Sequence, residues 1–307
     1  MATTIYTSTV ATNLKPILED IAMDRSDGLE DGLVMRTFMY DGEAQSDAYD
    51  IDLEMGGPGL ASEKPEGDEL AIGGINEGYQ SVYVTRTFGM KLLITEEAKE
   101  DSRYPEVINL FRYLKRALYK TVEYDAAAVL SRGFNTAYVG GDGLPLWSAS
   151  HTLPAGGTFS NLMAVPMSPS RQAVIAARAQ AMHFPGHDGL IEGYELEKVV
   201  HPTEQWGVWQ GICGSSYAPD PGIYNEINVV NQMIKLKPVE VKYWTSTTTN
   251  YAFMTDCEKK LGLKWKWKRR PKTKTWLDND QEVEKAGISA RWSRLWSDPR
   301  CTLGVQA

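Results

Sequence analysis

Apolar positions recur at helical spacing over one long stretch of this chain and alternate over several shorter ones. From Tyr104 to Phe134, the residues Val107, Leu110, Phe111, Leu114, Ala117, Leu118, Thr121, Val122, Ala128 and Val129 fall on one face at the α-helical period. They predict a helix of about 45 Å at 1.5 Å per residue. Pro105 suits its first turn and Gly133 its end, while Arg112, Lys115, Arg116 and Lys120 are expected on the opposite face. A second helix is predicted from about Pro169 to His183 with Ser168 as N-cap. Shorter ones are predicted over Asn13–Met23 and over Thr203–Ile212, the latter carrying Trp206 and Trp209. Alternation and β-branched content predict strands over Tyr79–Thr87, Tyr194–Val200, Val239–Thr245, Tyr251–Thr255, Leu263–Trp267, Thr273–Leu277 and Ile288–Trp296. Leu33–Asp41 has strand composition too, and Met90–Ile94 is one more short apolar run.

Between Gly56-Gly57-Pro58-Gly59 and Gly78 neither period is present, and glycine-rich loops this long are uncommon inside compact domains. With Met35–Glu54 before it and Tyr79–Phe88 after it, the segment reads as the tip of a long projecting hairpin. A tip with no apolar period of its own gains order by burying against a partner.

At 307 residues, 42% of them hydrophobic and 23% charged, the chain has the composition of a folded protein of one large domain or two ordinary ones. No apolar run approaches the roughly 20 residues that span a bilayer, the first residues lack the pattern of a secretion signal, and no membrane partner is expected. Cys213, Cys257 and Cys301 are few, odd in number and without Cys-x-x-Cys spacing, which predicts reduced thiols.

Charge changes the picture more. Up to Asp101 there are 21 acidic and 7 basic residues, and beyond it 19 and 25, so the net −8 conceals an acidic front and a basic remainder. Nine Lys or Arg and no acid fall between Lys259 and Lys274. Two solvated surfaces of opposite sign would explain this; the sharper reading is copies meeting head to tail, acidic arm on basic sheet.

Candidate chemistry is thin. Ser148, Ser150 and His151 contain the ingredients of an activated nucleophile, yet near neighbours in extended chain face apart and no Gly-x-Ser-x-Gly elbow is present. His183 and His187 have metal-pair spacing, but Pro185 and Gly186 forbid the helix it needs. Gly73-Gly74 and Gly140-Gly141-Asp142-Gly143 lack the context of phosphate or dinucleotide loops. Nothing selects a catalytic pair among the many carboxylates. Lys264-Trp265-Lys266-Trp267-Lys268-Arg269-Arg270 could be a nucleic-acid strip; a strand with tryptophans packed and lysines in water explains the same alternation. No enzyme, metal or cofactor is expected.

Two signatures in order carry a resemblance. Ile94-Thr95-Glu96-Glu97 and Asp101-Ser102-Arg103-Tyr104 lead into the long helix. Gly143-Leu144-Pro145-Leu146-Trp147-Ser148-Ala149-Ser150-His151-Thr152 follows it, with Gly156-Gly157 and Ser160-Asn161-Leu162 behind and Trp292–Pro299 near the end. The set resembles the major capsid proteins of tailed bacteriophages, and among them the Mu-like head-subunit branch. That resemblance implies an α+β, Hong Kong 97-type capsid fold: an N-terminal arm (1–34), an extended loop (45–88), a peripheral domain (89–136) with its spine helix (104–134), an axial domain (137–236), and strands (237–307) that return to the peripheral domain and close the axial one.

It further implies a structural protein that self-assembles through pentamers and hexamers into an icosahedral shell around double-stranded DNA, in the virion capsid and assembled in the host cytoplasm. Implied partners are a portal at one vertex and a decoration protein. No long charged helical segment precedes the arm, so a separate scaffolding protein is expected, and the family's cross-linking Lys and Asn cannot be mapped. Intersubunit contacts are expected at Gly56, Gly57, Pro58, Gly59, Lys64, Glu66 and Asp68 and at Lys264, Lys266, Lys268, Arg269 and Arg270. Arg112, Lys115, Arg116 and Lys120 are expected to face DNA. A nanocompartment shell resembles the same fold and remains open, as does a β-rich phage tail or adhesion protein, which the long helix fits poorly.

Overall fold

The computed structural model describes residues 29–306 apart from 31, 43, 68, 71, 96–103, 218–226, 245–249, 258–260 and 279–282. The expected helix at 13–23, most of the arm, and the lead-in residues 96–103 lie outside the described residues.

The strands are β1 (Tyr40–Asp41), β2 (Tyr49–Gly56), β3 (Asn76–Val84), β4 (Arg86–Thr95), β5 (His151–Thr152), β6 (Thr158–Phe159), β7 (Leu196–His201), β8 (Lys237–Glu240), β9 (Tyr251–Thr255), β10 (Leu263–Asp278), β11 (Val283–Trp296) and β12 (Thr302–Val305). The helices are α1 (Met35–Phe38), α2 (Tyr104–Ser131), α3 (Arg171–Ala181) and α4 (Trp206–Gly214).

One sheet has the order β1-β10-β11-β4, and α2 packs on it against β4 and β11. This is the peripheral half. Its core is aromatic: Trp292 stacks on Phe88 at 4.2 Å between ring centroids, with Trp265 and Trp267 at 5.3 and 5.6 Å. Large flat side chains fill space between a sheet and a helix at small cost in rotamer freedom. The sheet is antiparallel apart from the short β1–β10 pair, and bulges near Arg269 bend β10. The two strands expected at Leu263–Trp267 and Thr273–Leu277 are therefore one.

The spine helix forms as predicted in place and nearly in length, but its faces differ. Val107, Phe111, Leu114, Leu118, Val122 and Val129 are buried, whereas Leu110 is 51% exposed. Lys115, expected on the outer face, is only 2% exposed. Both the sheet and α1 cover the helix, so its buried stripe is wider than one face and takes in Lys115 and Tyr119. Arg112, Arg116 and Lys120 do lie outside.

The axial half is the sheet β12-β9-β7-β8 with α3 and α4. Every residue of β9 is buried, because Ala252 and Met254 face the peripheral core while Tyr251 and Phe253 face the axial one. A strand covered on both sides reads as a continuous apolar run. Trp209 of α4 is the centre of the axial core, edge-on to Tyr251 and Phe253 at 5.0 and 5.9 Å. Its companion Trp206 is exposed.

Trp147 plugs the junction of the two halves. A Cβ on Gly133 or Gly304 would come within 2.4 or 2.3 Å of its ring, so only glycine lets the end of the spine helix and β12 close on the indole.

Several expectations shift. In Leu33–Asp41 the strand is confined to Tyr40–Asp41, and Met35–Phe38 forms a single helical turn that buries Met35 and Phe38 on one side. Helix α3 is capped by Ser170, whose side chain accepts from the Ala173 amide, rather than by Ser168. The strand expected at Val239–Thr245 is β8, ending at Glu240. Cys257 and Cys301, 44 residues apart, form a disulfide across a Cα–Cα distance of 5.0 Å. The turn at Pro299–Cys301 brings Cys301 there, and of the three thiols expected to be reduced, only Cys213 is free.

Candidate functional site

Strands β2 and β3 form a separate two-stranded ribbon, paired from Tyr49↔Val84 to Gly56↔Asn76. The hairpin is shorter than expected at its base: Arg86–Phe88, expected at the end of the returning arm, joins the Met90–Ile94 run in β4, which pairs with β11 in the main sheet. Alternation puts Asp50, Asp52 and Glu54 on one face of β2, and Tyr49, Ile51, Leu53 and Met55 on the other. The acidic face is turned inward; all four apolar residues are exposed, as are Val82 and Val84 of β3. A half-buried ribbon ordinarily has the opposite polarity.

The acids face a seat built by the end of the main sheet. Lys264 pairs with Asp52, and the Lys266 ammonium reaches Asp50 Oδ2 at 2.6 Å and Asp52 Oδ1 at 3.3 Å. The Lys266 ammonium also lies 4.2 Å from the centre of the buried Tyr83 ring, a cation–π contact. Ser297 Oγ donates to Asp52 Oδ2 at 2.6 Å, which leaves the Tyr83 hydroxyl to donate to Ser297 Oγ at 2.5 Å. Burial alone would raise the Asp52 pKa; the hydrogen bonds from Lys264 and Ser297 and the two ammonium charges outweigh it and hold the carboxyl below its usual value. Burial pushes the Tyr83 hydroxyl well up, so it remains a donor.

Farther along the ribbon, Glu54 pairs with Arg300, whose side chain is wholly buried. Arg300 Nε donates to Asp298 Oδ1 at 2.8 Å, and His187 Nδ1 lies 2.8 Å from Glu54 Oε1. Burial would depress the Arg300 pKa, but Asp298 and Glu54 outweigh it and keep the guanidinium charged. This cluster ties the ribbon, the 185–192 loop and the turn before β12 together.

Of the expected contact residues, Gly57, Pro58, Gly59, Lys64 and Glu66 are exposed at the hairpin tip, Gly56 is buried at the end of β2, and Asp68 lies outside the described residues. The basic strip is engaged within the subunit. Besides Lys264 and Lys266, Lys268 donates to the Ser46 carbonyl, Arg269 to Ser289 Oγ at 2.7 Å, and Arg270 pairs with Glu30. Trp265 and Trp267 are packed as the alternation predicts, but Lys264 and Lys266 are not in water: both are buried beneath the ribbon. Sequence reasoning missed Asp50, Asp52, Glu54, Tyr83 and Arg300. The signal was present in Tyr-Asp-Ile-Asp-Leu-Glu-Met, a strict alternation of acids and large apolar side chains.

The Ser–His segment has a structural task. His151 is fully buried, with Nδ1 2.5 Å from Asp142 Oδ2 and Nε2 3.0 Å from Asn161 Oδ1. Asn161 Nδ2 donates to the carbonyls of Leu146 and Pro299 at 2.7 and 2.9 Å. An amide therefore occupies the imidazole nitrogen that a serine nucleophile would need, and the network fastens the 142–161 segment to the turn before β12. Cys257, Asp298 and Cys301 present ligand atoms within 4.8 Å of one another, but the two sulfurs are joined.

A family model described as phage capsid protein matches residues 78–296. No curated protein matches the chain. Among solved structures it is similar to Gordonia phage Cozz (TM-score 0.55, 10% identity, 89% of this chain and 86% of that one). It is also similar to a phage-related protein from Bordetella bronchiseptica RB50 (0.54, 12%, 95% and 96%) and to a virus-like particle from Pyrococcus furiosus (0.52, 7%, 95% and 98%). At such identities the likeness concerns the fold. The two-sheet body, spine helix and projecting ribbon agree with the Hong Kong 97-type architecture, and together with the family match they identify the chain as a structural protein of the virion: it belongs to the phage capsid protein family.

Proposed function

We propose that the protein is the major head subunit of a tailed phage, arranged in pentamers and hexamers in a closed icosahedral shell around double-stranded DNA. The observation that carries this reading is the inverted ribbon. Its charged face is satisfied within the subunit, and its apolar face and its tip, where Ile72 is 98% exposed, are left uncovered among the described residues, which suits them to a neighbour. The hairpin, including Gly56, Gly57, Pro58, Gly59, Lys64, Glu66 and Asp68, lies over an adjacent copy. Lys264, Lys266, Lys268, Arg269 and Arg270 support that contact indirectly, by holding the ribbon's base at a fixed angle. Arg112, Arg116 and Lys120 on the outer face of the spine helix meet packaged DNA through phosphate charge, without base reading. A separate scaffolding protein guides assembly in the host cytoplasm, a portal replaces one vertex, and a decoration protein is a further partner.

A second reading, a nanocompartment shell, draws support from the likeness to a virus-like particle. Mass and content of purified particles test both: megadalton particles containing DNA are expected, protein cargo would favour the second reading, and a monomer or dimer under every assembly condition would overturn both. Deleting residues 59–72 should leave a folded chain that forms no shells. Replacing Arg112, Arg116 and Lys120 by Gln should let filled particles release DNA at a different salt concentration, with assembly unchanged.

A further inference from the structure

On the peripheral half a cavity of about 300 Å³ opens between the end of the spine helix and the end of the main sheet. Three guanidinium side chains line it: Arg86 at the start of β4, Arg132 just beyond α2, and Arg294 of β11. The sheet register places Arg86 opposite Trp292, two residues from Arg294, so two of the three cations are diagonal neighbours. A single carboxylate answers them. Asp125 Oδ1 is 2.6 Å from Arg294 Nη2, and Asp125 Oδ2 is taken by the Trp292 indole at 2.8 Å. Arg132 lies over the Tyr138 ring at 4.4 Å. Among the described residues, neither Arg86 nor Arg132 has a carboxylate partner. Burial first, and then the Arg86 and Arg132 charges, push the Arg294 pKa below its usual value despite Asp125. The cavity thus holds excess positive charge that an anion would relieve.

The complementary charge is in the same sequence. Glu63, Glu66 and Glu69 at the hairpin tip are exposed, and among the described residues none has a cation within the subunit, unlike Asp50, Asp52 and Glu54 at the ribbon's base. Leu60 and Leu70 flank them and are exposed as well. They suit a cavity whose walls also include Val129, Leu295 and Trp296. Glu54 is the last seated acid of β2, and the exposed tip residues from Gly57 to Glu66 lie beyond it. A nucleic acid backbone is a poorer fit, since phosphates are followed by cations in a row along a groove, whereas this is one concave pocket with apolar walls.

We propose that this pocket receives the acidic hairpin tip of a second copy of the chain, with Glu63, Glu66 and Glu69 supplying carboxylates to Arg86 and Arg132. The proposal rests on the reading that the hairpin reaches a neighbour, and it adds the receiving site. It gives the acidic front and the basic remainder a meeting point outside the Lys264–Arg270 strip.

The test is assembly of the full chain, measured by sedimentation across protein concentration, for R86Q/R132Q, for E63Q/E66Q/E69Q, and for the charge swap R86E/R132E with E63K/E66K/E69K. Each neutralised variant should raise the concentration needed for assembly at least ~10-fold, and the swap should recover most of that loss. If R86Q/R132Q does not fold, the exposed tip variant E63Q/E66Q/E69Q and its charge-reversed form E63K/E66K/E69K, which should assemble worse still, read the same contact without touching the pocket. Unchanged assembly in the neutralised variants, or no recovery in the swap, overturns the proposal. Unchanged assembly with altered DNA retention also overturns it and assigns the pocket to phosphate. Deletion of residues 59–72 separates the two levels. Normal shells from the deletion defeat the hairpin reading itself; failed shells beside normal R86Q/R132Q assembly defeat only the pocket.

Discussion

The peripheral sheet and the β2–β3 ribbon follow the same alternation of side chains and put it to opposite use. In β11, Ala286, Ile288, Ala290 and Trp292 point into the core, and the strand stabilises the subunit by removing apolar surface from water. In β2, acids point inward to lysine and arginine, and Tyr49, Ile51, Leu53 and Met55 point to solvent. The sheet is finished when the subunit folds. The ribbon is finished only when something covers it. Binding of this kind uses the subunit's own ion pairs to set orientation, and leaves the hydrophobic surface, which carries most of the association free energy, for the partner.

The largest expected effect therefore falls on assembly. Replacing Ile51 and Met55 by Asn should abolish shell formation while changing the chain's own unfolding free energy by no more than about 0.5 kcal/mol, as for ordinary surface sites. The same exchange at Ile288 of β11 should unfold the chain. Sedimentation beside urea denaturation checks the contrast, and equal loss of stability at the two sites would erase the distinction drawn between the strands.

The next effect is on the ribbon's base. Arg300→Met leaves Glu54 and Asp298 in a buried site without the guanidinium, with His187 beside them. Breaking a buried pair on one side costs roughly 3–5 kcal/mol, and thermal unfolding should show it. A variant as stable as the parent would mean that the cluster is hydrated and does not hold the ribbon.

How much of this was legible beforehand follows from the range of the interactions. The spine helix and the packed tryptophans have local periods and the hairpin tip is marked by the loss of one, and both signals can be read in a single pass along the chain. Lys115 could not be placed by its own helix, because burial there depends on a second layer on top of it. Lys264 and Lys266 looked solvated because their partners, Asp50 and Asp52, are more than 200 residues away in the chain. The disulfide and the Arg86–Arg132–Arg294 pocket were hidden for the same reason, each being assembled from distant segments. His151 could be read as catalytic only while Asn161 was unplaced; once the amide is seen on Nε2, the motif is a fastener.

The smallest expected effect is on pH dependence, and it separates ion pairing from packing at the ribbon's base. The folded-state pKa of Asp52 lies below its ordinary value of 3.8. The folded state thus favours the ionised carboxyl, and the resulting stability is fully present above the unfolded value and disappears as pH falls through the lower folded value. The ribbon should accordingly keep its seat unchanged from neutral pH down to about 4, and loosen only in stronger acid as Asp52 is protonated and releases Lys264 and Lys266. Hydrogen exchange of the β3 amides against pH would follow that loosening. Asp52→Asn should raise exchange at neutral pH and flatten its acid dependence, because the amide can still accept from Ser297 but offers no charge to the two lysines. A ribbon that loosens as the parent does even with Asn at position 52 would mean that the Asp52 charge does not hold the seat, and that Lys264 acts there through packing against Tyr83 rather than through charge.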